Sequence, residues 1–191
     1  MKLETERLRL LPPHPDLAQP LLDFALRNRA HFAPWDPPYP PGFFTLAHWQ
    51  QGLPKQEAAF AEGSGYRWYV VRPEDPTRVI GKAELSGIGR GPHQSAFLGY
   101  AIDAAEQGQG LMHEALRAVV AAAFGPVINL HRLQAGHRVD NHPSARVLDR
   151  LGFREIGIAR DYLYIDGAWR DHRLTELINA VFVAPVEWRV G

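Results

Sequence analysis

The chain has no cysteine. Disulfides, thiolate metal sites and an acyl-cysteine intermediate are therefore excluded. Net charge is missing too, because 21 Lys and Arg balance 21 Asp and Glu. No global basic field draws such a protein onto nucleic acid, and no direct nucleic-acid contact is expected. Apolar runs of about 18 residues do not occur, so no membrane span is expected. The opening MKLETERLRLL alternates charge with leucine and lacks the apolar core of a signal peptide. None of the nine histidines forms HExxH, since His113-Glu114 has no second histidine four residues on, and no catalytic metal is expected. What is left is ordinary globular composition, 46% hydrophobic and 22% charged over 191 residues. One domain over 1–191 with a sizeable core, in the cytoplasm, is the expectation.

The most informative stretch is Tyr100 to Leu116, YAIDAAEQGQGLMHEAL. A short apolar strand ends at Asp103, a turn of small and polar residues follows at Gln107-Gly108-Gln109-Gly110, and a helix begins at once. Apolar residues at Met112, Ala115, Leu116, Val119, Val120, Ala123 and Phe124 define one buried helical face. Strand, glycine turn and helix together suit a bound phosphate. Glycines allow close approach, free N–H groups at the helix start point at the anion, and the local dipole favours negative charge. The nucleoside-triphosphate loop is excluded, as no Lys-Ser or Lys-Thr follows Gly110. The dinucleotide fingerprint fails as well, because position 113 is His.

Elsewhere the pattern predicts a strand over Thr5–Leu11 and a helix from Asp16 that starts late or bends at Pro20. Pro34 to Gly42 holds five prolines and is read as a stiff loop carrying Trp35 and Tyr39. A helix over Thr45–Glu62 ends at Gly63-Ser64-Gly65. Strands are predicted at Arg67–Arg72, Val79–Leu85, Ala96–Ile102 and Arg132–Arg138, with Ser86–His93 as a turn. Tyr162–Tyr164 and Arg173–Phe182 read as closing strands around an Asp166-Gly167 hairpin turn.

Gln107-Gly108-Gln109-Gly110-Leu111-Met112 resembles the acetyl-coenzyme-A loop of the GNAT acetyltransferases, written [QR]xxGx[GA], with Met112 departing from the Gly or Ala of the last position. Asn141-His142-Pro143-Ser144 leading to Leu151-Gly152-Phe153 is similar to that family's NxxSxxxxxxxGF segment. Glu6-Arg7-Leu8-Arg9-Leu10, Asn28-Arg29-x-His31-Phe32-x-Pro34-Trp35, Ala159–Leu163 and Asp166–His172 resemble its branch of ribosomal-protein alanine N-acetyltransferases. The resemblance implies an α+β acyl-CoA N-acyltransferase fold: a mixed, mostly antiparallel sheet flanked by helices, with splayed central strands between which the pantetheine arm lies. It implies acetyl-CoA as co-substrate, direct transfer in a ternary complex, and a protein N-terminus, that of a ribosomal protein, as acceptor, the enzyme being a monomer or homodimer.

On that resemblance Gln107, Gly108, Gln109, Gly110, Leu111, Met112, Asn141 and Ser144 hold the coenzyme. A backbone N–H near Ala101 or Ile102 polarises the thioester carbonyl, and such a preorganised donor is worth roughly 3 kcal/mol. Ser144 either serves the leaving thiolate or caps its helix, and Asn141 is either a ligand or a cap. Many relatives carry Glu where this chain has Phe97. The other acids and hydroxyls considered for the base are Glu84, Asp161, Tyr162 and Tyr164, and the catalytic set is read as Ser144, Asp161 and Tyr162. Trp35, Tyr39 and Phe97 are read as acceptor-groove residues, with pinning of the proline loop as the alternative for the first two. His137 and His142 are expected to be solvated.

The missing Glu bears on substrate. Near pH 7.4 roughly a quarter of protein α-amines are neutral, against about one lysine in a thousand, a difference of about 3 kcal/mol. A site without a strong base suits an N-terminal amine. Two other readings stay open: a small amine, amino acid or antibiotic as acceptor, and a non-catalytic coenzyme-A-binding sensor, which Phe97 and Met112 keep in play.

Overall fold

The computed structural model describes residues 1–189; the last two positions of the expected 1–191 span lie outside them. In chain order the elements are β1 Leu3–Glu4, β2 Arg9–Leu11, α1 Ala18–Arg27, α2 Arg29–Phe32, α3 Leu46–Glu62, β3 Tyr66–Arg72, β4 Asp75–Gly89, β5 Ser95–Ile102, α4 Leu111–Phe124, β6 Arg132–Arg138, α5 His142–Leu151, β7 Arg154–Ile165 and β8 Ala168–Ile178. The strands form one sheet in the order β1-β2-β3-β4-β5-β6-β8-β7. All pairs are antiparallel except β5 with β6.

Both sheet faces are covered. On one, α4 presents Met112, Ala115, Leu116, Val119 and Ala123 to Trp68, Val70, Ala83, Leu85 and Leu98. This is the apolar stripe that the spacing predicts. On the other, α1 and α3 place Leu21, Phe24, Ala25, Trp49 and Leu53 against Tyr69 and Val71. Alternation along β3 and β4 feeds both cores, because successive side chains of a strand point to opposite faces. No described helix is long and apolar enough to cross a membrane.

Five boundaries differ from the sequence reading. The first expected strand is a hairpin: Thr5 N–H bonds the Leu8 carbonyl at 2.9 Å, separating β1 from β2. α1 neither starts late nor bends at Pro20. Pro20 is its third residue, where a helical N–H has no partner to lose. β4 runs on to Gly89 through Gly87, whose φ of +58° takes up a register shift between Ser86 and Gly89. β7 begins at Arg154, directly after Gly152 closes α5 with φ +86°. β8 begins at Ala168 and ends at Ile178, earlier at both ends than the expected Arg173–Phe182.

The parallel pair matters most. β5 and β6 are paired only at Ser95↔Arg132, Ala96↔Leu133 and Phe97↔Gln134. Beyond those rungs the two strands part, although β5 continues to Ile102 and β6 to Arg138. The expected splay of the central strands is thus present.

Candidate active site

The gap between β5 and β6 opens into a cleft of ≈ 500 Å³. Its walls come from both strands, the start of α5, the proline loop and β7. One edge of the gap is unspent backbone. Asp103 N–H bonds the Ile80 carbonyl at 2.8 Å. In the antiparallel β4–β5 ladder, residues face the partner strand alternately. The amides of Gly99 and Ala101 therefore point at β4, and those of Tyr100 and Ile102 point into the gap. Of the two positions expected to supply the carbonyl donor, Ile102 turns its amide into the gap, whereas Ala101 lines the cleft but turns its amide to β4.

At the end of β5 the chain turns through Gln107–Gly110 into α4. Gly108 and Gly110 both sit at φ +76°, a left-handed conformation that costs other residues about 1–2 kcal/mol. The first helical bond runs from Glu114 N–H to the Gly110 carbonyl at 3.1 Å. The N–H groups of Leu111, Met112 and His113 precede that ladder and are free for an anion. Met112 does not obstruct the turn. It is buried, and its terminal methyl lies toward Gly81 of β4. The departure from the family's small residue is thus absorbed by the core, which removes one of the two grounds for a non-catalytic reading.

An ion-pair network fixes this turn. Arg7 pairs with Glu114 and donates to the Gln109 carbonyl at 3.1 Å. Arg72 donates to the Gln109 side chain at 3.0 Å and to Glu106 at 2.8 Å. Arg27 holds the buried Asp103 at 2.7 Å. Burial would push the Asp103 carboxyl up, but the Arg27 hydrogen bond, the Ala105 amide and Arg78 outweigh it and hold it below the usual aspartate range. Glu114 is held low in the same way, burial being outweighed by Thr5 and Arg7. The N-terminal Glu6-Arg7-Leu8 segment thus acts on the phosphate turn through Arg7, which sequence reasoning did not reach.

α5 begins at the cleft. Asn141 is its cap: Asn141 Oδ1 accepts from Ser144 N–H at 3.1 Å. Ser144 is therefore no cap. Its hydroxyl lies 2.7 Å from Tyr100 Oη, which also donates to the Ser144 carbonyl at 3.2 Å. Burial pushes the Tyr100 phenol up to about 12, against the pull of the Ser144 hydrogen bond, so it stays protonated at neutral pH. In the sequence Tyr100 stands only as the start of the Tyr100–Leu116 stretch; nothing local links it to a residue 44 positions away.

The aromatic wall of the cleft is assembled from distant segments. Phe97 is 48% exposed and leans over Gly87, where an added Cβ would come within 3.1 Å of its ring. Trp35 and Tyr39 both line the cleft. Arg138 latches their loop: it donates to the Pro34 carbonyl at 2.5 Å, stacks 5.1 Å from the Trp35 ring centroid, and is held by Asp140 at 2.6 Å. Tyr39 stacks on Phe43 at 4.3 Å and donates to Asp36 at 2.6 Å. Pinning and lining are therefore the same arrangement for these aromatics.

The remaining candidates separate. Tyr162 lines the cleft and packs 5.4 Å from the His172 ring. Asp161, its neighbour, does not line it. It has φ +46°, donates its N–H to Asp171, and forms the apex of a bulge in which Arg160–Tyr162 oppose Asp171 alone. Within this bulge Tyr162 faces the cleft and Asp161 does not. Tyr164 packs on Trp169 near the hairpin, away from the gap. Glu84 lines the cleft, leaning over Gly99, with one oxygen bound to Arg67. His137 is buried and lines the cleft, contrary to the solvated reading, because β6 carries it between β5 and β8.

An open parallel pair, a glycine turn at a helix start and a hydroxyl pair between them define an acyltransferase of the coenzyme-dependent kind. Residues 7–154 match the acetyltransferase (GNAT) domain, and the chain belongs to that family. It is 36% identical over 177 residues to the ribosomal protein uS5-alanine N-acetyltransferase of Escherichia coli K12, covering 93% of this chain and 90% of that protein. Among solved structures, the ribosomal-protein-S5-alanine acetyltransferase of Vibrio fischeri superposes with a TM-score of 0.92 at 34% identity, covering 96% of this chain and all of that one. Mycobacterium smegmatis RimJ in complex with a CoA-disulfide gives 0.81 at 27% identity over 90% of this chain and 81% of that chain.

Proposed function

We propose that this chain transfers the acetyl group of acetyl-CoA to the N-terminal α-amine of a ribosomal protein, with alanine as the first residue, in a ternary complex. The observation that carries the reading is the cleft: a strand edge whose Tyr100 and Ile102 amides point into the gap, an aromatic wall opposite, and Phe97 where a base would stand. The full-length likeness to uS5-alanine N-acetyltransferases supports the acceptor.

In this reading the pyrophosphate lies on the amides of Leu111 to His113 and the pantetheine runs along the free edge of β5. The Ile102 N–H faces the thioester oxygen. A neutral amine attacks the thioester carbon, the carbon–sulfur bond breaks, and the Ser144 hydroxyl, backed by Tyr100, gives a proton to the thiolate. The proton lost by the amine leaves through water and restores the pair. Orientation of amine and thioester supplies most of the acceleration. Asp161 has no part in these steps.

The test is kcat/KM against pH for two matched peptides with acetyl-CoA, read by release of free thiol. One has a free N-terminal alanine; the other is blocked there and carries one lysine. The free-alanine peptide is expected to titrate with the α-amine's own pKa and to be nearly flat above about pH 8.5. The lysine peptide is expected to be poor at neutral pH and to rise steadily. Equal activity on both at neutral pH would sink the reading.

A further inference from the structure

Beneath the proline loop the cleft continues into a side pocket of ≈ 190 Å³. The two cavities share Asp36, Tyr39, Phe43 and Lys82. Three hydrogen-bond donors on its walls are unused. The Lys82 ammonium, half-buried on β4 and directly opposite Ala101, makes no hydrogen bond or ion pair among the described residues. Gln56 accepts the Tyr69 hydroxyl with its Oε1, which leaves its amide N–H groups without a partner. The Trp49 indole N–H is buried in a residue only 8% exposed and has no partner among the described residues.

The other charged groups here are already engaged. Arg67 and Glu84 neutralise each other. Asp36 Oδ2 takes the Tyr39 hydroxyl, and Asp36 is beyond ion-pair reach of Lys82. A pocket with a spare ammonium, a spare amide and a spare indole N–H, walled by Leu21, Phe24 and Phe32, complements a group that only accepts. The buried Trp49 indole N–H, without a partner, favours a ligand that satisfies it, and a carboxylate does so without bringing a donor of its own.

We propose that this pocket is a subsite for a carboxylate carried by the acceptor, with Lys82 as its counter-charge. The inference rests on the acceptor-side reading above and narrows it. An amine placed at the Ile102 edge lies one strand away from Lys82, so the carboxylate belongs to the first few residues of the acceptor. Two sources share this chemistry: an acidic side chain of a peptide, and the α-carboxylate of a free amino acid.

The experiment uses the whole chain with acetyl-CoA and paired acceptors. Free-N-terminal alanine peptides carry Glu or Gln at the second or third position; alanine is compared with alanine amide. At one peptide position the Glu member is expected to exceed its Gln twin about tenfold in kcat/KM. That ratio should shrink at about 0.5 M salt and fall toward one in Lys82→Gln. In Lys82→Glu a peptide with Lys at that position should become the better substrate. The wild-type salt series stands on its own should a variant fail to fold. Turnover of alanine but not its amide, with no peptide accepted, would assign the carboxylate to a small acceptor and refute the peptide reading alone. Equal rates within every pair, or a Glu preference that survives in Lys82→Gln, would overturn the subsite.

Discussion

The coenzyme side and the acceptor side of this cleft are built from different material. The coenzyme side is backbone. Its proposed anion donors are amides of three consecutive residues after two left-handed glycines, and its proposed carbonyl donor is an amide on a strand edge. The acceptor side is side chains from the proline loop, β4, β5, β6 and β7, brought together only by the sheet. Backbone sites are specified by conformation, so they are written locally, in glycine and cap positions. Side-chain sites are specified by topology, so their residues are scattered.

The contrast can be broken most severely at the glycines. Replacing Gly108 and Gly110 together by valine should weaken coenzyme binding about 100-fold or more, from left-handed strain and lost phosphate bonds. Calorimetry would measure it, with a thermal melt to confirm the fold. Gly108 has nothing within 4 Å of an added Cβ, so crowding is not the cause there. Unchanged affinity in a folded double variant would put the phosphate elsewhere.

Ser144→Ala and Tyr100→Phe probe the seam between the two sides. Each should lower kcat about 100-fold, the usual reach of a positioned proton donor, and leave coenzyme affinity within about twofold. Because the two hydroxyls touch, the double variant should lose little more than either single one. Fully additive losses would mean that they act apart.

The smallest effect is expected on the acceptor wall. Arg138→Ala removes the bond to the Pro34 carbonyl and the stack on Trp35. It should raise the acceptor KM about tenfold with kcat and coenzyme binding nearly unchanged, since what it frees is ordering of a loop. A matching fall in coenzyme affinity would show that the two sides are not separable.

The same division explains what could be read in the chain. Strand, turn and helix around Gln107–Gly110 are contiguous, and the stripe from Met112 to Phe124 is a period anyone can count. The cap role of Asn141 was legible as an alternative, whereas the partner of Ser144 lay on another strand. Asp161 drew attention as an acid beside a tyrosine, but a three-residue bulge decides which of the two faces the cleft, and bulges leave no periodic trace. β7 was under-read because Arg154–Arg160 is interrupted by Gly157, the site of its first register shift. Lys82 is one charged residue in an alternating strand; only the absence of any partner marks it out.

Three rungs are all that join the two halves of this sheet. In mechanical terms the molecule is a five-stranded leaf and a three-stranded leaf with an unfinished hem, β1 to β5 short of one neighbour along Tyr100–Ile102 and β6 to β8 short of the other. An extended ligand laid in the hem acts as a stitch. Its occupancy then feeds directly into the cohesion of the whole sheet, rising with ligand concentration as any native-state binder's does. The melting temperature of this protein would therefore serve as a gauge of how much coenzyme surrounds it.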